Sequence, residues 1–539
     1  MSGQELGSST ANRYNARLRE RRAFGWKGQV HMKRIILVTV GVVLLVAPFI
    51  WLVARQPAPQ EIVVAIEAEP ITLDPFNAVD HISPVIQQVI FEGLLALGEN
   101  NSVLPQLATG FAVSEDGRAI TFTLRRDVRF HDGTPFNAAA VKQNFAFLLD
   151  ASNEMARRYL FDFIDTITVN NPYSITFTSK RADYALPYYF AHPAAGIKSA
   201  QELDKRARDP LHNLTHTAVG TGPFRLILWH GRRYVELEPN PYYWNADLKP
   251  KTHLRFLFVP DPKERLAMLK QGKAHAAFPA ASTEPASAVG LTTLRLPRQE
   301  VYFVGFNFTR RELSDVRVRR AMNYAVDRER LMTASGIQGL ALATPISPAI
   351  FGHAPIQPLA HDPARARSLL AEADFTQAAP LELLVADRRE TKALALAVQA
   401  DLAAVGISVE VVALPQGELF TRLDTGKPPD MWLMHWRPYA GEVYEVLSGN
   451  FTRPDASHKN NNAGGYFNAE LEKRLAEARA QPMAAALAEL ARLQALVLAD
   501  APWLFLSTPV RYAAYTQSVE GIDVGPNGAL RLSRVRFRP

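Results

Sequence analysis

The 539-residue chain has no cysteine. Disulfide frameworks, thiolate metal sites, a thiol nucleophile and a lipid-bearing cysteine are therefore excluded. The chain also lacks a Walker loop, a Gly-x-Ser-x-Gly elbow and a His-Glu-x-x-His motif, so neither nucleotide-driven chemistry nor a serine or zinc hydrolase has a sequence basis, and no cofactor or metal is expected. Excess charge is missing from most of its length. The formal net charge is +7, but residues 1–34 carry eight Lys and Arg against two Glu, a net of +6, which leaves about +1 for everything after them. A nearly neutral body has no basic field for a phosphate backbone, and nucleic acid is not an expected partner.

Hydrophobic residues make up 47% and charged residues 21%, values of a folded globular chain. Its length exceeds what one core usually serves, so at least two lobes are expected. One long apolar run exists. Residues 35–53 are uncharged, sit between Lys33-Arg34 and Arg55, and as a helix would span roughly 28 Å at about 1.5 Å per residue. The basic cluster precedes the run, so residues 1–34 are expected in the cytoplasm, 35–53 as a single transmembrane helix and the body outside. A cleaved signal peptide beginning at Met32 is the competing reading. It would place the large Leu52 three residues before a cut after Ala54, and the run exceeds a usual signal core. Residues 54–60, with Pro57 and Pro59, form a stiff linker.

Past the linker, residues 61–66 read as a strand and 83–97 as a helix by apolar spacing. Residues 119–124 alternate as a strand, and Asn137 caps a helix running to Leu149. A helix is expected over 316–332, with Val318, Ala321, Met322 and Ala325 inward and Arg317, Arg319, Arg320 and Arg328 on a solvated face. Gly220-Thr-Gly222 leads into a strand at 224–229 rather than a helix, which excludes a phosphate-cradling loop. Residues 381–386, 392–405 and 407–414 form a strand-helix-strand unit.

Several motifs carry a resemblance. Ile71-Thr-Leu-Asp-Pro75, Phe91-Glu-Gly-Leu94, Val128-Arg-Phe-His-Asp-Gly-Thr-Pro-Phe136, Gly220-Thr-Gly-Pro-Phe224, Asn240-Pro-Tyr-Tyr-Trp244 and Val316-Arg-Val-Arg-Arg-Ala-Met-Asn-Tyr-Ala-Val-Asp327 follow one another in the order seen in extracellular solute-binding proteins of family 5. These are the peptide- and nickel-binding type of ABC-transporter substrate-binding protein, and the resemblance runs from about residue 61 to the C-terminus. It implies a mixed α/β, periplasmic-binding-protein-like fold of two lobes with an inserted domain. Lobe I would comprise 61–104, 219–298 and 509–539, the insert 105–218 and lobe II 299–508. Residues 300–308 and 501–508 read as strands crossing between the lobes, a candidate hinge. The implied function is capture of a peptide-like or other small solute, anionic ones included, for ABC permease subunits. Its implied place is the extracytoplasmic face of the inner membrane.

Peptide-binding relatives carry an aspartate three residues after a tryptophan to pair with the peptide amino terminus. Counting from Trp436, that position is Tyr439, and a neutral phenol makes no such ion pair; Glu442 stands nearby as a substitute. The arginines Arg157, Arg158 and Arg437 suit an anion, and Tyr159, Trp436 and Tyr439 suit an apolar or planar body. The histidines His192 and His435 read as structural. Two other readings stay open, a membrane-tethered sensor or peptide chaperone with the same fold, and a hydrolase.

Overall fold

A computed structural model describes residues 60–98, 102–209, 211–279, 290–424, 428–438, 440–453, 461–525 and 528–539. The expected basic segment at 1–34 and membrane helix at 35–53 lie outside these residues, as does the linker apart from Gln60. Among the described residues no helix is long and apolar enough to cross a membrane.

The β-rich run after the linker forms the strand Glu61–Ile66, whose Ile62, Val64, Ala65 and Ile66 are buried. It lies parallel between His253–Phe258 and Ala276–Phe278, and the antiparallel strands Tyr234–Pro239 and Phe224–His230 extend the sheet outward. Ile62, Val64, Ile86, Phe224, Phe256 and Leu530 build one core on this side. A second core gathers Val304, Phe306, Met322, Leu383, Val398 and Leu504. There Leu381–Ala386 runs parallel to Val409–Leu414 and to Met431–Trp436, and Met431–Trp436 pairs antiparallel with Val301–Phe306.

The 14-residue strand Trp503–Thr516 serves both halves. Its first part pairs with Val301–Phe306 and its second with Leu291–Pro297 and Ala276–Phe278. Because Arg298-Gln-Glu300 joins Leu291–Pro297 to Val301–Phe306, the chain passes between the halves twice, side by side.

A separate four-stranded sheet contains Ala108–Val113, Ala119–Leu124, Ser174–Ser179 and Ile164–Asn171 in that spatial order. The helix Ala138–Leu149 covers it, its first turn satisfied by the Asn137 side chain, which accepts from the Ala140 N–H at 3.0 Å. Phe145, Phe177 and Phe190 meet edge-on or tilted with centroids 4.6–5.3 Å apart. Their core continues into Val443, Leu447, Phe451, Leu490 and Leu493 of the second half.

Two expected helices come out differently. The run at 83–97 is helical only over Ser83–Gln87, and Leu95–Leu97 is a strand. Tertiary bonds take the place of helical ones. The Ile90 carbonyl accepts the Gly222 N–H at 2.9 Å, while buried Glu92 turns inward to accept from Thr221, Tyr243 and Trp244. A Cβ on Gly220 would stand 2.2 Å from the Ile90 carbonyl oxygen, and one on Gly222 2.7 Å, so this approach requires both glycines. The span 316–332 is two helices, Val316–Ala325 and Arg328–Ser335, the second capped by Asp327 through the Arg330 N–H.

The solvated arginine face is also corrected. Arg317 is exposed and Arg320 half-buried, but Arg319 and Arg328 are buried. Arg319 donates to the carbonyls of Leu313, Ser314, Asp500 and Ala501. Arg328 donates to those of Asn323, Leu359 and Phe505. Each guanidinium ties loose chain ends together because its fan of donors reaches several carbonyls at once.

Candidate functional site

The two crossings are pinned to each other. The Arg298 N–H donates to the Pro509 carbonyl at 2.9 Å, and the Thr508 hydroxyl donates to the Arg298 carbonyl at 2.7 Å, which also accepts from the Ser347 hydroxyl. Ser347, Ser507 and Thr508 are buried, so water does not compete for these bonds.

Beside the crossings opens a cavity of about 190 Å³. Residues 75–87 form one wall, 188–194 another, and 297–300 with Arg511 the floor, while Arg437 enters from the end of Met431–Trp436. Four arginines line this space, Arg157, Arg298, Arg437 and Arg511, against two carboxylates, Asp80 and Glu300.

Most of this charge is already matched. Arg298 stands 3.0 Å from one Glu300 oxygen and His435 Nδ1 3.0 Å from the other. Burial pushes the Glu300 carboxyl up, but the His435 bond and the charges of Arg298, His435 and Arg437 outweigh it and hold the group below the usual carboxylate range. Arg511 pairs at 3.2 Å with Glu67, which also meets His81. Glu67 behaves in the same way: burial raises it, and His81 and Arg511 bring it below its ordinary value. Asp80 is bound by its own loop, accepting the Ile82 and Ser83 N–H groups at 2.8 Å each and the Ser83 hydroxyl at 2.6 Å.

Arg157 is held by neutral groups instead. Its Nε donates to the Ala78 carbonyl at 2.7 Å and its Nη1 to the Tyr159 hydroxyl at 2.8 Å. Neighbouring His192 accepts the Ala194 N–H through Nδ1 at 3.1 Å, capping a short 3₁₀ turn. Burial, reinforced by the charge of Arg157, pushes this imidazole down to about 3, so it is neutral. With Nδ1 as acceptor, the proton of the neutral ring sits on Nε2.

Tyr188 closes the cavity toward the second half. Its ring stacks on Phe351 with centroids 4.4 Å apart, and its hydroxyl donates to the carbonyls of Ala440 and Gly441 at 2.9 and 3.0 Å.

Of the residues expected from sequence, Arg157 and Arg437 share this cavity. Tyr159 stands behind Arg157 as its acceptor, 43% exposed. Arg158 turns away toward Asp162, with Nε 3.5 Å from its carboxylate. Trp436 is half-buried opposite Val301 and packs against the aromatic core rather than lining the cavity. Tyr439 lies outside the described residues. Glu442 is no substitute for a missing aspartate, because it is buried and caps the helix Val443–Phe451 through the Tyr444 and Glu445 N–H groups. Sequence reading missed Arg298, Arg511 and Tyr188. Arg298 follows the end of Leu291–Pro297 and Arg511 lies within Trp503–Thr516, and only the pairing of Pro297 with Val510 brings them together.

Comparison with known proteins accords with this architecture. The glutathione-binding protein GsiB of Salmonella choleraesuis is 29% identical over 485 residues, covering 87% of this chain and 93% of the relative. The protein of that name from Pectobacterium atrosepticum is 28% identical over 509 residues, covering 92% and 97%. Among solved structures, HbpA2 from Haemophilus parasuis superposes with a TM-score of 0.77 at 21% identity, over 89% of this chain and all of that one. The fold is thus the two-lobed, mixed α/β one of periplasmic binding proteins. The family model for bacterial extracellular solute-binding proteins, family 5, matches residues 102–458, well over half of the sequence. With that match, and with a cavity set where two strands cross between lobes, the chain belongs to the bacterial extracellular solute-binding proteins of family 5, which bind solutes and are not enzymes.

Proposed function

We propose that this chain is the extracytoplasmic receptor of an ABC import system, taking a peptide-like or other small anionic solute into the cavity beside the crossing strands and presenting the occupied form to permease subunits. The observation that carries the reading is the position of the arginine-lined cavity at the double crossing, where a change in lobe angle alters both walls at once. Solute contacting both walls favours the closed form by its differential affinity for the two forms. Arg157 and Arg437 are the first candidates for ligand contact, with Tyr159 behind Arg157 as its acceptor. The relatives named for glutathione binding make a small acidic peptide a reasonable first solute to try.

The apolar run at 35–53 would hold the body at the outer face of the inner membrane, with 1–34 in the cytoplasm. Two measurements test the reading. Mass spectrometry of small molecules released from gently denatured full-length protein should find a solute at near-stoichiometric amount, and fractionation should find the protein in the membrane. Recovery of an unliganded protein that binds no peptide or organic anion in a broad calorimetric screen would overturn it.

A further inference from the structure

Two of the four cavity arginines are matched and two are not. Arg298 and Arg511 each touch a carboxylate that in turn holds a histidine. Among the described residues the Arg157 guanidinium donates to a carbonyl and a phenol, and Arg437 makes no ion pair. The pair also comes from different segments of the chain. Arg157 is tied to the Ala78 carbonyl and lies close enough to His192 for its charge to act on that ring, whereas Arg437 follows Met431–Trp436 and acts on Glu300.

The carboxylates give the complementary information. Asp80 is taken up by three donors of its own loop, and Glu300 by Arg298 and His435. Among the described lining residues four guanidinium groups stand against two carboxylates, so donors are in surplus. His192 adds one more: its Nδ1 is occupied by the Ala194 N–H, so its remaining nitrogen is a neutral donor beside Arg157.

We propose that the solute carries two separated carboxylates, one received by Arg157 together with the Nε2–H of His192 and the other by Arg437. This rests on the binding reading above and specifies its ligand as an organic dianion. The arrangement couples recognition to closure. Arg157 and Arg437 carry like charges into one lining, and a dianion spanning them meets both while a monoanion meets only one. Guanidinium groups receive carboxylates through two parallel hydrogen bonds, so geometry as well as charge is read at each end.

The test uses the full-length protein in detergent and two probes of nearly equal shape, N-acetyl-Ala-Glu with two carboxylates and N-acetyl-Ala-Gln with one. Calorimetry is expected to give the dianion at least about tenfold tighter binding, with a steep loss of affinity at raised salt. Arg157→Gln and Arg437→Gln should each collapse that preference to within about threefold, and Arg157→Lys and Arg437→Lys should keep part of it, which separates lost charge from lost folding. His192→Phe should weaken the dianionic probe, because its Nε2–H is the second donor to the Arg157-bound carboxylate, and an unchanged affinity removes His192 from the assignment. Equal affinity for the two probes, an undiminished preference in both glutamine variants, or binding of neither probe overturns the assignment. The receptor reading is judged separately, since a monoanionic or zwitterionic solute found by mass spectrometry would sustain it while sinking the dianion.

Discussion

The Tyr184 hydroxyl donates a 2.6 Å hydrogen bond to a carboxylate oxygen of Glu442, 258 residues further along the chain, and both side chains are buried. Around them Asp183 accepts from Arg479 at 2.7 Å and Tyr188 donates to the Ala440 and Gly441 carbonyls. The segment that walls the cavity is thereby fastened to the helix Val443–Phe451 at its capped end.

Burial pushes Glu442 up to about 7, with Glu445 and Asp183 adding to the shift against the Tyr184 bond and the Arg479 charge. The folded-state value lies above the unfolded one, so the stability this group contributes is fully present below about 4.5 and is lost as pH rises through 7. Glu442→Gln removes the titration. Urea denaturation at pH 5 and pH 8 should show the parent losing more stability, or gaining less, than the variant as pH rises, by on the order of 2–3 kcal/mol. The neutral buried histidines His131 and His192 act in the opposite sense as pH falls, but they are common to both proteins and cancel in the difference.

Inside the first half, Lys198 Nζ lies 2.7 Å from Asp74 with both side chains almost fully buried, and the ammonium also stands 3.7 Å from the centre of the Phe76 ring. Removing one partner leaves an uncompensated buried charge, whereas removing both leaves none. Lys198→Met should cost about 3–5 kcal/mol, and Lys198→Met with Asp74→Asn distinctly less. Chemical denaturation of the two variants checks the ordering. A double variant less stable than the single one would mean that the hydrogen bonds of Asp74 to the Phe76 N–H and to Asn77, rather than the pair itself, hold this corner.

The sequence was readable where local pattern and tertiary contact agree. Glu61–Ile66, Ala119–Leu124, Ala138–Leu149 and Leu381–Ala386 stand where alternation or spacing puts them, since each buries the face its pattern offers. It was unreadable where distant bonds overrule spacing. Glu92 leaves a helical pattern because Thr221, Tyr243 and Trp244 supply donors from two other motifs, and no local signal announces them. The cavity was half legible. Arg157 and Arg437 stand out by residue type, but Arg298 and Arg511 become part of a site only through the pairing of strands more than 200 residues apart.

Arg328 shows the same limit and yields a prediction. Charge patterning put it on a solvated face, yet it is buried and its guanidinium bridges Asn323, Leu359 and Phe505. A lysine has the charge but not the fork, so it leaves two or more of these acceptors without a partner. Arg328→Lys should destabilise by about 2–4 kcal/mol, with little dependence on salt because the lost partners are backbone carbonyls rather than ions. Arg317→Lys, on an exposed arginine, should leave stability essentially unchanged. Thermal unfolding of the two variants at low and high salt measures both claims.

Glu300 holds the charge balance of the cleft floor, because its two oxygens restrain Arg298 and His435 while its field reaches Arg437. Glu300→Gln takes one negative charge from a cavity that already has two unmatched arginines, and frees Arg298 from its partner. Two consequences follow in opposite directions. Stability should fall by about 1–2 kcal/mol, since the pair is partly screened and the amide can still accept one bond. Affinity for a dianionic probe should rise severalfold and depend more steeply on salt, because one more guanidinium is available and the opposing carboxylate is gone. Calorimetry of N-acetyl-Ala-Glu at two ionic strengths reads both the gain and its screening. Weaker binding with unchanged salt dependence would instead make Glu300 an acceptor for a donor group on the solute, and the excess positive charge of the cavity would then not be what selects its occupant.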